Sequence, residues 1–168
     1  MDFPIKTKRL TIEKPAYDQT QAIIEAMLAS KAELQRWMNW AKIWPSHAEI
    51  EEFHHKSVNH WRENARHLRL NAFINGQATL ACSIGITIDN PQAGVYHMSY
   101  WANSTQTNKG YTTEAVKAVI RYLFKDLEAS SIITGHAAKN RASKRVIEKC
   151  GFVSHTDPRE DCAYILTP

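Results

Sequence analysis

The sequence predicts an α+β domain, a mixed α/β chain whose central sheet is largely antiparallel and flanked by helices. Three observations predict it. Two strand-like runs, 68–74 and 78–88, meet at Asn75-Gly76, a dipeptide that supplies the positive φ of a tight hairpin. From residue 95 onward, strand-like and helix-like segments alternate, which brings βα units into the same sheet. The 168 residues are 43% hydrophobic and 23% charged, one domain's worth of chain with enough apolar material for a core. The expectation is therefore one domain over 1–168, without repeats or linkers.

In chain order, Arg9-Leu10-Thr11-Ile12-Glu13 alternates as a first strand, ended by Pro15. Asp18 is placed to cap a helix over 19–28, with Ile23, Ile24, Met27 and Leu28 on one side. Trp37, Trp40 and Trp44 then fall within eight residues. They either plug a joint between two helices or wall an acceptor pocket, since indole offers a broad apolar face with a polar N–H. Ser46 caps a long helix reaching toward Arg66. After the hairpin, 90–94 turns the chain into a strand over 95–101, followed by a loop and a helix. That helix carries a stripe of Ala115, Val116, Val119, Ile120, Leu123, Phe124 and Leu127. A strand over 131–137, a short helix opened by Asn140 and ended by Gly151, and strands at 152–155 and 161–166 complete the sheet.

Charge and side-chain chemistry narrow the function. A net charge of +4 suits an anionic ligand or an acidic partner and is too small to argue for nucleic acid. Cys82, Cys150 and Cys162 lack CxxC spacing, so the expectation is reduced thiols rather than a disulfide framework or zinc site. His47, His54, His55, His60 and His67 lie in or beside one helix, without the i, i+4 set and supporting carboxylates that a metal requires. No apolar run is long enough for a bilayer, and a cytoplasmic location without membrane attachment is expected.

The stretch around which the chain is organised is Thr107-Asn108-Lys109-Gly110-Tyr111-Thr112-Thr113-Glu114-Ala115, between a strand and a helix. Such a junction offers unpaired N–H groups at the positive end of a helix dipole, which suits phosphate. A second segment, Asn140 to Phe152, follows another strand and opens another helix. Its basic residues Arg141, Lys144, Arg145 and Lys149, with Lys139, either face phosphate or form a solvated face.

In these two segments the chain resembles the GNAT acetyltransferase superfamily, within it the ribosomal-protein N-terminal alanine acetyltransferases. Gly110-Tyr111, Thr113-Glu114-Ala115 and the pattern Asn140-x-x-Ser143-x-x-Val146-x-Glu148-Lys149-x-Gly151-Phe152 carry the resemblance. Weaker matches are 7–10, 37–41 and 99–101. Thr107 and Asn108 depart from it, standing where the group usually has Arg and Gly. The resemblance implies acetyl-CoA as cosubstrate, no metal, and direct attack by a primary amine, either a peptide α-amine or a small-molecule amine. It also implies a monomer or homodimer. It assigns cofactor binding to Tyr100, Trp101 and Ala102 along a splayed strand, to Thr107, Asn108, Lys109, Gly110, Tyr111 and Thr112 at the phosphates, and to Asn140 and Ser143. His97 occupies the position where the group commonly has a glutamate base. An imidazole, with an ordinary pKa near ~6.5, is a suitable proton acceptor at neutral pH; Glu13 and Glu33 are further candidates. Ile147 stands where many members have a tyrosine acid, which leaves Ser143 to assist the departing thiolate. The loop departures also leave open a non-catalytic acyl-CoA sensor.

Overall fold

The computed structural model describes residues 3–63 and 65–168. Eight strands form one sheet in the order β1-β2-β3-β4-β5-β6-β8-β7, with β1 Ile5–Lys6, β2 Leu10–Glu13, β3 His67–Ile74, β4 Leu80–Asn90, β5 Val95–Ala102, β6 Ser131–His136, β7 Val153–His155 and β8 Cys162–Leu166. Every neighbouring pair is antiparallel except β5 with β6. That parallel pairing is short: Val95, Tyr96 and His97 match Ser131, Ile132 and Ile133, and beyond His97 the two strands part. The middle of the sheet therefore opens into a fork.

Alternation along the strands divides the molecule into two cores. Even-numbered residues such as Leu70, Ile84, Ile86 and Met98 pack on α4 (Tyr111–Asp126), which buries Ala115, Val116, Val119, Ile120 and Leu123. Each large aliphatic side chain removed from water there contributes roughly 1.5–3 kcal/mol. A bulge between Ala72 and Phe73 shifts the register so that Phe73 opposes Leu80, and both turn to the other face. There they meet α1 (Thr20–Ala29), α2 (Lys31–Trp37) and α3 (His47–Arg62) around Ile23, Met27, Leu34, Ala41, Ile50 and Trp101. α5 (Arg141–Lys149) lies beside α4 and β6.

Several element boundaries differ from those predicted. Asp18 caps nothing: it lies in a 3₁₀ turn, Tyr17–Gln19, and α1 begins at Thr20 without a side-chain cap. Thr20 Oγ1 instead donates to the Tyr17 carbonyl at 2.7 Å. α3 stops at Arg62, short of Arg66, and Asn64 lies outside the described residues. Its start is as read, with a reciprocal capping box between Ser46 and Glu49. Trp44, partly buried, packs against the helix joint where Leu34, Ala41 and Ile50 meet, whereas partly buried Trp37 and half-exposed Trp40 stand outside it.

Candidate active site

The fork between β5 and β6 is the floor of a groove of about 460 Å³. Its walls are the loop before α4, the first turns of α4 and α5, and the end of α2. Tyr100, Trp101, Ala102, Thr107, Asn108, Gly110, Tyr111, Thr112, Asn140 and Ser143 all line it. Of the residues expected to hold a cofactor, Lys109 alone is not among them. Its ammonium reaches Gln106 Oε1 at 2.9 Å, and its carbonyl accepts from Arg9.

The loop is held from outside the motif. The Glu114 carboxylate receives Thr7 Oγ1 at 2.7 Å, the Arg9 amide at 2.9 Å and Arg9 Nε at 2.7 Å. The same guanidinium donates through Nη1 to the Lys109 carbonyl at 2.8 Å and lies 4.7 Å from the Tyr111 ring centre. Burial opposes ionisation of Glu114, but the hydrogen bonds from Thr7 and Arg9 outweigh it and hold the carboxyl below its ordinary value. Within the loop Gly110 has φ +80° and Asn108 φ +62°. Asparagine is among the few L-residues that tolerate the left-handed region, so Asn108 keeps the backbone shape that a glycine there would give. No side chain caps α4, which leaves its first N–H groups facing the groove.

On the opposite wall, Asn140 caps α5 by accepting from the Ser143 amide at 3.1 Å. That bond fixes Ser143 with its hydroxyl toward β5, where it lies 2.9 Å from the Tyr100 hydroxyl. Tyr100 also donates to the Ser143 carbonyl at 3.1 Å, and burial pushes its phenol well above the ordinary value, so it stays protonated. One turn along α5, Arg145 and Lys149 line the groove, whereas Lys144 turns to Glu148 at 3.7 Å. The basic run thus divides between a groove-lining pair and three exposed residues outside the groove, Lys139, Arg141 and Lys144.

His97 sits where β5 and β6 part. Its Nε2 is 3.0 Å from Glu160 Oε1. Glu160, from the β7–β8 connection, lines the groove and lies across Gly135 of β6. A Cβ on Gly135 would come within 2.5 Å of the Glu160 side chain. Glycine is thus what lets Glu160 cross the strand to reach His97. Glu160 was not singled out from the sequence, because a residue in the last hairpin has no local signal of meeting one 63 positions earlier. An isolated glycine inside the strand pattern 131–137 was the available hint. Of the other base candidates, Glu13 accepts from Gln19 Nε2 at 3.0 Å, and Glu33 lines the groove while accepting from Trp37 Nε1 at 2.9 Å.

A second cavity, about 350 Å³, lies on the far side of Trp101, which forms part of both. Ile23, Met27, Trp40 and Phe53 make it largely apolar. Among the described residues no cluster of histidines, cysteines and carboxylates is arranged to hold a metal ion, and no helix is long and apolar enough to cross a membrane. The three thiols are free, and burial raises Cys82 to about 12 and Cys150 to about 11, which suits packing rather than nucleophilic attack.

A forked sheet with a glycine loop at one end of the fork makes a groove suited to an extended ligand that ends in phosphate. Residues 9–153 match the acetyltransferase (GNAT) domain family, and the chain belongs to that family. Among solved structures, it is similar to one described as a putative ribosomal-protein-serine acetyltransferase from Vibrio cholerae. That likeness has 21% identity and a TM-score of 0.84, covering 99% of this chain and 98% of the other. RimL, a ribosomal L7/L12 α-N-protein acetyltransferase in complex with coenzyme A, is 14% identical with a TM-score of 0.86, covering 99% and 98%. The microcin C7 self-immunity acetyltransferase MccE, in complex with acetyl-CoA and AMP, is 15% identical with a TM-score of 0.83, covering 96% and 94%. At these identities the likeness is one of fold. Over 55 residues, 33% of the chain, it is 38% identical to the probable N-acetyltransferase YjcK of Bacillus subtilis (strain 168), and the match spans 30% of that protein.

Proposed function

We propose that the protein is an acetyl-CoA-dependent N-acetyltransferase acting on a primary amine, a peptide α-amine or a small-molecule amine. The observation that carries this reading is the fork at His97, with the loop at Gly110 at one end and Ser143 and Glu160 on its walls. Acetyl-CoA supplies an activated acyl group as a thioester. In this reading the free edge of Met98–Ala102 pairs with the pantetheine arm, and the N–H groups of residues 108–112 receive the pyrophosphate. Arg145 and Lys149 add positive charge along the same wall.

Two proton movements remain. The ammonium of the acceptor must become an amine, and the His97–Glu160 pair takes that proton. Glu160 is the member that lines the groove, with His97 hydrogen-bonded behind it. At the other wall, Ser143 donates to the departing sulfur by turning its hydroxyl hydrogen from Tyr100 Oη, 2.9 Å away, into the groove, while Tyr100 keeps its own hydrogen on the Ser143 carbonyl. The family resemblance alone supports a peptide α-amine over other amines, with the fold of RimL as a parallel.

Calorimetry with acetyl-CoA followed by thiol release over α-amino peptides, free amino acids, polyamines and aminoglycosides tests the reading. Binding with turnover of at least one amine is expected. Binding without turnover of any would favour a sensor. Glu160→Gln and His97→Gln should each flatten the acidic limb of the kcat/KM profile; an unaltered limb in both would move the base elsewhere.

A further inference from the structure

We propose that the acceptor carries an anionic oxygen group, a carboxylate or a phosphate, on an apolar body, and that Arg69 in the cavity beside Trp101 binds it. The inference rests on the acetyltransferase reading above. It begins from a mismatch between a wall of apolar side chains and one guanidinium. Arg69 is half-buried and points its Nη1 at Ser83 Oγ at 3.4 Å, with its guanidinium 4.9 Å from the Phe53 ring centre. Among the described residues it makes no ion pair. A guanidinium has five N–H donors in a planar fork, so most of its capacity is unspent.

The surroundings do not supply the missing charge. Glu49, the carboxylate on the same cavity, is held at the start of α3 by the Ser46 amide at 2.8 Å and the Ser46 hydroxyl at 2.7 Å, and it forms no ion pair with Arg69. Ser83 donates its own hydrogen to Asn71 at 3.0 Å, and Asn71 donates to Gln19 at 2.9 Å. That relay turns the serine lone pairs toward Arg69 but adds no negative charge. Burial brings Arg69 down to about 10, so it is still a cation at neutral pH. A cation left without a partner in an apolar wall is costly, and a bidentate carboxylate or phosphate matches its geometry.

Register connects this cation to the fork. Arg69 pairs with Gly85, and Gly85 pairs with Ser99, so the three lie in one row across β3, β4 and β5. Strand spacing puts the Arg69 Cα about 10 Å from Ser99, one residue pair beyond His97 on the same face. Gly85 places no side chain between them. An acceptor lying along this row would have its anion on Arg69, its apolar part against Trp101 and Phe53, and its amine toward the fork.

The test is thiol release with matched amines. The anionic arms are L-phenylalanine, 4-(2-aminoethyl)benzoate and tyramine phosphate; the neutral arms are L-phenylalaninamide, phenethylamine and tyramine. At least one anionic acceptor should exceed its neutral counterpart by tenfold or more in kcat/KM, and the winning arm separates carboxylate from phosphate. Arg69→Met should abolish that preference while leaving acetyl-CoA affinity and neutral-amine rates unchanged, and Arg69→Lys should restore part of it. Preference for the neutral partners, or equal losses on all amines in Arg69→Met, would overturn the proposal. If acetyl-CoA binds and no amine is turned over, the acetyltransferase reading fails by itself. Calorimetry with 4-ethylbenzoate and 4-ethylphenyl phosphate then decides the Arg69 site. Binding to the parent and not to Arg69→Met sustains it, and no binding to the parent refutes it.

Discussion

Replacing Gly135 by alanine separates catalysis from stability. The backbone at Gly135 lies outside the left-handed region, so alanine adds no φ strain there, and the conflict is with one side chain. The new Cβ would stand 2.5 Å from Cγ, Cδ and Oε2 of Glu160. Ordinary carbon contacts begin near ~3.5 Å, so the carboxylate must retreat by about 1 Å. Its partner His97 is now 3.0 Å away, and a displacement of that size breaks the bond. A misplacement of about 1 Å at a catalytic group costs on the order of 10²-fold in rate. Stability should hardly move, because one hydrogen bond is worth about 0.5–1.5 kcal/mol net and alanine returns about 0.5–1 kcal/mol over glycine in a strand. The assay is thiol release at saturating acetyl-CoA, paired with a thermal melt. A fall of ten- to a hundredfold in kcat with an unchanged melt, matching Glu160→Gln, is expected. Parental kcat in a folded Gly135→Ala variant would refute a role for the position of Glu160.

The other predictions are briefer. Ser143→Ala should lower kcat by about tenfold or more with little change in acetyl-CoA affinity, and equal turnover would leave Ser143 a helix-start residue only. Gly110→Val, at φ +80°, should weaken acetyl-CoA binding by strain and blockade, whereas Asn108→Gly should leave it unchanged or stronger; calorimetry compares them. His54 is buried and donates from Nε2 to the Ala16 carbonyl at 2.9 Å; burial, with His55 and Arg69 nearby, holds it below its ordinary value despite that bond and Asp18. Its folded value lies below the unfolded ~6.5, so the unfolded chain binds the extra proton first. Stability should therefore be full above about 6.5 and decline as pH falls toward the folded value. Denaturant midpoints measured from pH 7.5 to 5 should show that slope in the parent and lose it in His54→Gln.

Periodicity made most of the elements legible. The stripe of α4 and the hairpin at Asn75-Gly76 are local patterns, and both appear where the pattern puts them. What was not legible depends on contacts between distant residues. Asp18 carries a helix-starting side chain, but Thr20 bonds back to Tyr17 and the helix begins later. The tryptophans divide between the two roles their side chains allow, a choice spacing alone does not make: Trp44 packs on the joint filled by Leu34 and Ala41, Trp37 lines the groove and Trp40 the second cavity. Glu160 and Arg69 gain their meaning only from the partners that the sheet brings, or fails to bring, beside them.

The grip of Thr7 and Arg9 on Glu114 has a consequence for how the protein is made and handled. Residues 7–9 lie more than a hundred positions before the carboxylate that receives them, so the loop is held in this way only once residue 114 has been made. Mass action also makes the grip reciprocal: a ligand that favours the shaped loop tightens the leading segment from far away. Amide exchange at residues 7–12 should therefore slow when acetyl-CoA is added, although none of those residues lines the groove. A tag or fusion that pulls this segment aside would register first as poor cofactor affinity, in a protein whose sheet is still intact.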